Sequence, residues 1–301
     1  MKVNGFAGVI SILLVALFFV AMLASVLSCG QKEGVDEKIV VATSILPLAD
    51  FLGNVGGEKI EVIVMVPPGA SPHAYEPTTS LMTALSRAKM YAKVGSGIEF
   101  ELVWMDKLLA INKEMLVIDC SKGIEIHETA GEHEGEDEHG AMDPHIWMSP
   151  PNAQIMVQNI CRGLVQVDPT GKAYYEKNRD SYLQELIRLD RDIRSSLSGM
   201  ASRTLMVYHP AFGYFAREYN LAMLPIEVEG KEPTAAGMAL SIEQAREHNV
   251  KVIFVSPQFN PQSAEVIAGA IGGRVVFIDP LADDYVMNMR QFLSELVQST
   301  D

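Results

Sequence analysis

The chain has 301 residues, 48% hydrophobic and 21% charged, long enough for two ordinary domains with a sizeable core and too apolar to stay disordered. Thirty-eight acidic residues against 24 Lys and Arg give a formal net charge of −14. With no basic or aromatic stripe, that balance excludes a nucleic-acid partner and suits a protein that meets cations.

Phe6 to Ser28 carries no charge and follows a single basic residue, Lys2. A basic start, an apolar run and small residues before a cysteine form the pattern of an export signal. The run is also long enough for an uncleaved anchor, since about 20 apolar residues span a bilayer. Cys29 argues for a lipoprotein signal over residues 1–28, because "VLSC" resembles a bacterial lipobox, in which the cysteine is lipidated and becomes the first mature residue. Either way the remainder is exported and held at a membrane, periplasmic or lipid-anchored, and loss of residues 1–28 removes Lys2 and leaves a net charge of −15. Residues 29–37 read as a short polar tether.

A first lobe is expected over residues 38–167. "KIVVATS" (Lys38 to Ser44), "IEVIVMV" (Ile60 to Val66), "MYAKVG" (Met90 to Gly95) and "MLVID" (Met115 to Asp119) are near-continuous apolar runs of the kind a covered parallel sheet requires. "TTSLMTALSRAK", capped by Thr78, and "IEFELVWMDKLLA" between them have helical spacing. Residues 125–140 are acidic and glycine-rich with no apolar face, and predict a mobile loop. Cys120 and Cys161 read as two buried, unpaired thiols, although an exported chain would permit a disulfide.

Residues 168–199 predict a linking helix. Tyr175, Tyr182, Leu186, Leu189, Ile193 and Leu197 form one stripe, and no Pro or Gly interrupts Lys172 to Ser198, which would run about 40 Å. A helix of that length is a stiff strut, not a flexible linker. The second lobe, 200–301, repeats the alternation: strands in "RTLMVYH" (Arg203 to His209), "AMLPIEVE" (Ala222 to Glu229), "KVIFVS" (Lys251 to Ser256) and "RVVFID" (Arg274 to Asp279), with helices in "SIEQAREHN", capped by Ser241, and "PQSAEVIAGAIGG". The fold class is α/β: two Rossmann-like lobes with mostly parallel sheets, joined by one long rigid helix.

Of seven histidines, three stand beside prolines at element junctions: His73 in "PPGASPHAYEPT", His145 in "DPHIWMSP" and His209 in "YHPAFGYF". Asp279 in "IDPLA" follows the last strand. Ligand sites of open α/β sheets form at the carboxyl ends of strands, so these residues point to one cleft between the lobes. Alone, each reads as readily as a capping or turn residue. Together, three imidazoles and one carboxylate make a tetrahedral set for Zn²⁺.

These motifs, with the acidic histidine loop and the long helix, resemble the metal-binding proteins of ABC importers, the ZnuA/TroA-like group, over essentially the whole chain after Cys29. The resemblance implies that His73, His145, His209 and Asp279 are the metal ligands. It also implies that the partner is a membrane permease with its ATPase, that the protein is a monomer, and that it is not an enzyme. Manganese carriers of the group have Glu at the third ligand position, so His209 favours Zn²⁺ over Mn²⁺ or Fe²⁺. His127, His133 and His139 in the acidic loop are then auxiliary metal-capture residues, set against the plainer reading of a solvated acidic insertion; His248, on an amphipathic helix, is assigned no role. Asp143 and Glu227 are expected to support the ligands. The rival is a surface-anchored zinc hydrolase, with Glu76 or Glu227 as base, although no H-E-x-x-H motif occurs. A metal-stabilised role in cell adhesion is compatible with the same site.

Overall fold

The computed structural model describes residues 38–128, 142–200, 202–227 and 230–299. The expected signal (1–28), Cys29 and the tether (29–37) lie outside these residues, as do His133 and His139. Among the described residues no helix is long and apolar enough to cross a membrane.

Two four-stranded parallel sheets organise the fold. The first holds β1 (Ile39–Thr43), β2 (Ile60–Val64), β3 (Met90–Lys93) and β4 (Leu116–Asp119) in the order β2-β1-β3-β4. The second repeats that order with β5 (Thr204–Val207), β6 (Ala222–Pro225), β7 (Val252–Val255) and β8 (Arg274–Phe277), as β6-β5-β7-β8. All eight lie within the runs identified from sequence. Parallel strands buried on both faces need apolar residues at successive positions, and β7, "VIFV", is buried at every one. The strands end earlier than the apolar runs, which leaves His209 and Asp279 beyond the last ladder positions.

Helices follow the strands: α1 (Leu46–Gly56), α2 (Thr79–Leu85), α3 (Glu99–Ile111), α4 (Pro150–Val167), α5 (Lys172–Leu197), α6 (Gly213–Glu218), α7 (Ala235–Glu247), α8 (Gln262–Ile271) and α9 (Tyr285–Gln298). The Thr78 side chain caps α2 by accepting from Leu81 N–H. Ser241 does not cap α7. That helix begins two turns earlier, where Thr234 accepts from Gly237 N–H, and Ser241 is a buried interior residue. The alanine-rich "AAGMAL" propagates a helix despite its glycine, and the Pro-Thr pair before it supplies the start.

The 26-residue α5 is the predicted strut. Its buried residues are the six of the stripe: Tyr175, Tyr182, Leu186, Leu189, Ile193 and Leu197. It packs on α1 and α4 of the first lobe and on α9 of the second. Phe51 of α1 meets Tyr182 of α5 at 6.1 Å between ring centroids and Tyr285 of α9 at 5.1 Å, so one aromatic cluster ties the strut to both lobes. Cys120 and Cys161 are buried and unpaired.

Candidate metal centre

The loops leaving the carboxyl ends of the two sheets converge. His73 lies in the turn between β2 and α2, and His209 between β5 and α6. His145 starts the short 3-10 turn Ile146–Met148 that leads into α4. Each brings a donor nitrogen to one place: the ligand atoms of His73, His145 and His209 all lie within 4.8 Å of one another. His145 and His209 approach most closely, with their Nε2 atoms 3.3 Å apart.

Each imidazole is oriented by its own carboxylate. His145 Nδ1 lies 2.8 Å from Asp143 Oδ1, which also accepts the His145 backbone N–H at 2.9 Å. His209 Nδ1 lies 3.1 Å from Glu227 Oε2, and His73 Nδ1 lies 2.9 Å from Glu99 Oε2. A carboxylate oxygen only accepts, so in a neutral ring the proton sits on Nδ1 and the lone pair on Nε2. Three such pairs therefore present three oriented nitrogens that could hold a metal ion. Asp143 and Glu227 have the supporting place expected of them. Glu99 was missed, although it follows β3 at the same sheet edge as His73.

The surroundings hold this geometry. The Trp147 ring packs edge-on to His145, and its Nε1–H donates to Pro280 O at 2.8 Å, tying the His145 segment to the second lobe. Phe259 stacks on His209 at 4.7 Å with 23° between planes. Gly213, at the start of α6, gives Asp143 its room, because a Cβ there would overlap Asp143 Oδ2. Burial lowers the pKa of His209, aided by repulsion from His145 and His73 and opposed by the hydrogen bond its Nδ1–H donates to Glu227. Burial acts to raise the Glu99 carboxyl, but its hydrogen bond with His73, the charges of His73 and His145 and a backbone hydrogen bond together hold it below the ordinary value. The three rings border a cavity of only about 20 Å³, closed by Trp147, Phe259 and Leu281.

Asp279 stands apart from this set. It does not belong to the three-histidine group or line its cavity. Its Oδ1 accepts from Gln258 Nε2 and from Leu281 N–H, each at 2.8 Å, as an aspartate organising a turn before proline does. His127 is also separate. Its ring packs on Tyr214 and its backbone N–H donates to the Tyr214 hydroxyl, while its carbonyl accepts from Asp143 N–H at the root of the acidic loop. His248 caps the end of α7, far from any such group.

Comparison with known proteins shows the family to which this fold belongs. The model of the family "Zinc-uptake complex component A periplasmic" matches residues 41–299. The chain is similar to the high-affinity zinc uptake system protein ZnuA of Bacillus subtilis, at 32% identity over 84% of this chain and 81% of that one. It is also similar to the zinc-binding lipoprotein AdcA of Streptococcus pneumoniae, at 26% identity, spanning 60% of that protein's length. A crystal structure of ZnuA superposes with a TM-score of 0.82 at 36% identity, covering 88% of this chain and all of that one. With its two parallel sheets, its strut and its three carboxylate-held histidines, the chain belongs to the periplasmic zinc-uptake component A family.

Proposed function

We propose that this protein captures Zn²⁺ outside the cytoplasm, in the cleft between its lobes, and delivers it to the permease of an ABC importer driven by its ATPase. The observation that carries this reading is the three imidazoles, each held by its own carboxylate around a space of about 20 Å³. That volume accommodates about one water-sized body, which suits an ion. A hydrolase would need a free general base beside the metal, whereas Glu227 is engaged with His209. We therefore read the protein as a carrier and not an enzyme. Three nitrogen donors favour zinc over manganese or iron.

The ligands we assign are His73, His145 and His209. Asp279 lies outside the three-histidine group and its Oδ1 accepts from Gln258 and Leu281, so we assign it to the turn. Residues 38–167 and 200–301 serve as the two lobes, with the helix of residues 168–199 limiting their relative movement to small tilts. Cys29 is the site of the lipid anchor, and His127, His133 and His139 lend auxiliary capture from the acidic loop. The protein acts as a monomer.

Calorimetric titration of zinc into metal-stripped protein lacking residues 1–29 tests the reading. One tight site is expected, lost in His209→Ala and retained when residues 129–141 are removed. A site that survives His209→Ala, or disappears with the loop alone, overturns the assignment.

A further inference from the structure

The three carboxylate–histidine pairs are alike in bonding and unlike in access. The side chains of His145 and Asp143 are 10% and 4% exposed, and those of His209 and Glu227 are 10% and 3%. For His73 and Glu99 the figures are 30% and 47%. The supports differ too. Asp143 is fixed by a second bond, from the His145 backbone, and Glu227 follows directly from β6, with its backbone N–H bonded to Tyr208 O. His73 sits in a turn without regular structure, its backbone N–H held by Ser71 Oγ at 3.3 Å, and Glu99 is the first residue of α3. A cavity of about 210 Å³ opens beside this pair, lined by His73, Tyr75, Glu76, Glu99, Val103 and Trp104, and another of about 220 Å³ reaches Asp143 from the side of His127 and Tyr214, where Asp143 nonetheless stays 4% exposed. Water therefore reaches the Nδ1–carboxylate bond of His73 and competes for it, which the buried pairs prevent.

We propose that Glu99 is the positioning residue that controls zinc release, by holding or letting go of His73, the one ligand able to leave while the other two stay in place. In this inference, which rests on the zinc-carrier reading, His145 and His209 form a fixed two-nitrogen seat and His73 closes it. Loss of the Glu99 bond lets the imidazole rotate or change tautomer and leaves the ion two-coordinate to protein, open to water and to a competing ligand. In the rotated ring only the metal–nitrogen bond and the hydrogen bond to Glu99 are broken; where the tautomer changes, the Nδ1 proton is lost to water and Nε2, once free of the ion, takes one up, so the net protonation is unchanged.

The test is zinc dissociation from the full chain, followed by stopped-flow mixing with excess chelator, for the wild type, Glu99→Ala and Glu99→Gln. Glu99→Ala is expected to release zinc about 10–100-fold faster, the range typical of supports to metal ligands. Its association rate should be unchanged, because the buried seat is intact. Glu99→Gln should recover most of the slow release, since its amide oxygen still accepts from Nδ1–H. The ligand-field spectrum of bound Co²⁺ in that variant should match the wild type. A Glu99→Ala release rate equal to the wild type's, or a Glu99→Gln variant as fast as the alanine variant, overturns the inference. Absence of tight zinc binding in the wild type would instead overturn the carrier reading itself. Because Glu99 is half exposed, both variants are expected to fold, which circular dichroism checks directly.

Discussion

The Nε2 atoms of His145 and His209 stand 3.3 Å apart. At zinc–nitrogen distances of about 2.0–2.1 Å, two ligands of a tetrahedral ion are separated by about 3.3 Å. The spacing of the pair thus matches one edge of a tetrahedral coordination polyhedron, as the proposed ligand set requires. Neither ring is free to turn, since Asp143 and Glu227 hold the opposite nitrogens.

Acid should weaken this site. Burial lowers the His209 pKa, so the folded protein binds fewer protons there than the unfolded chain does. The metal-free protein should therefore lose stability as pH falls through the ordinary imidazole range, about 6.5. Zinc meets little proton competition at His209 above that range, so affinity should be nearly flat above about pH 7 and fall below about pH 6. Competition titrations against a chelator at several pH values measure this. An affinity that holds constant to about pH 5 would exclude imidazole ligation.

Gly213 gives the most selective test of the supporting carboxylates. Its backbone accepts any residue, since its φ is not among the positive ones, yet a Cβ would overlap Asp143 Oδ2. Gly213→Ala should displace that carboxylate and weaken zinc binding about 10–100-fold while the fold survives, as the loss of a support to a metal ligand does. Calorimetry with a parallel thermal melt separates the two effects. Unchanged affinity would mean that Asp143 does not set the orientation of His145.

Asp279 should behave as a turn residue. In Asp279→Asn the side-chain oxygen still accepts from Gln258 and Leu281, so the turn persists while the anionic ligand is gone. Zinc affinity is expected to change less than about 10-fold, the lower bound for losing even a support to a ligand. A much larger loss would move Asp279 into the coordination shell.

Most of the frame was legible because its signals are local. Eight apolar runs became eight strands, and the stripe from Tyr175 to Leu197 became the buried face of α5, since burial on one face dictates spacing directly. Ser241 misled because a serine before a helical stretch looks the same whether it caps or lies inside, and only Thr234 had the extended backbone a cap requires. His73 and His209 stood out by their proline neighbours and strand-end positions, and His145 by its proline neighbour at a loop-to-helix junction. Glu99 did not, because its role depends on a pairing across 26 positions that no periodicity encodes. Asp279 had the same strand-end signal as His209, and only three-dimensional placement separates a carboxylate facing the cleft from one folded into its own turn.

The strut carries its own pH signature. Burial raises the Asp50 carboxyl on α1 to about 6, helped by the charge of Asp284 and opposed by hydrogen bonds, chiefly from the Tyr182 hydroxyl of α5 at 2.6 Å. A carboxyl raised in the folded state contributes stability that is fully present below its unfolded value of 3.8 and is lost as pH rises through about 6. In Asp50→Asn the amide oxygen still accepts from Tyr182 and no longer ionises. The stability of the variant relative to the wild type should therefore improve by on the order of 2 kcal/mol between about pH 4 and about pH 7.5. Urea unfolding of both metal-free proteins at the two pH values gives that difference. A difference that does not vary with pH would mean that Asp50 is not ionising inside the joint between α1, α5 and α9.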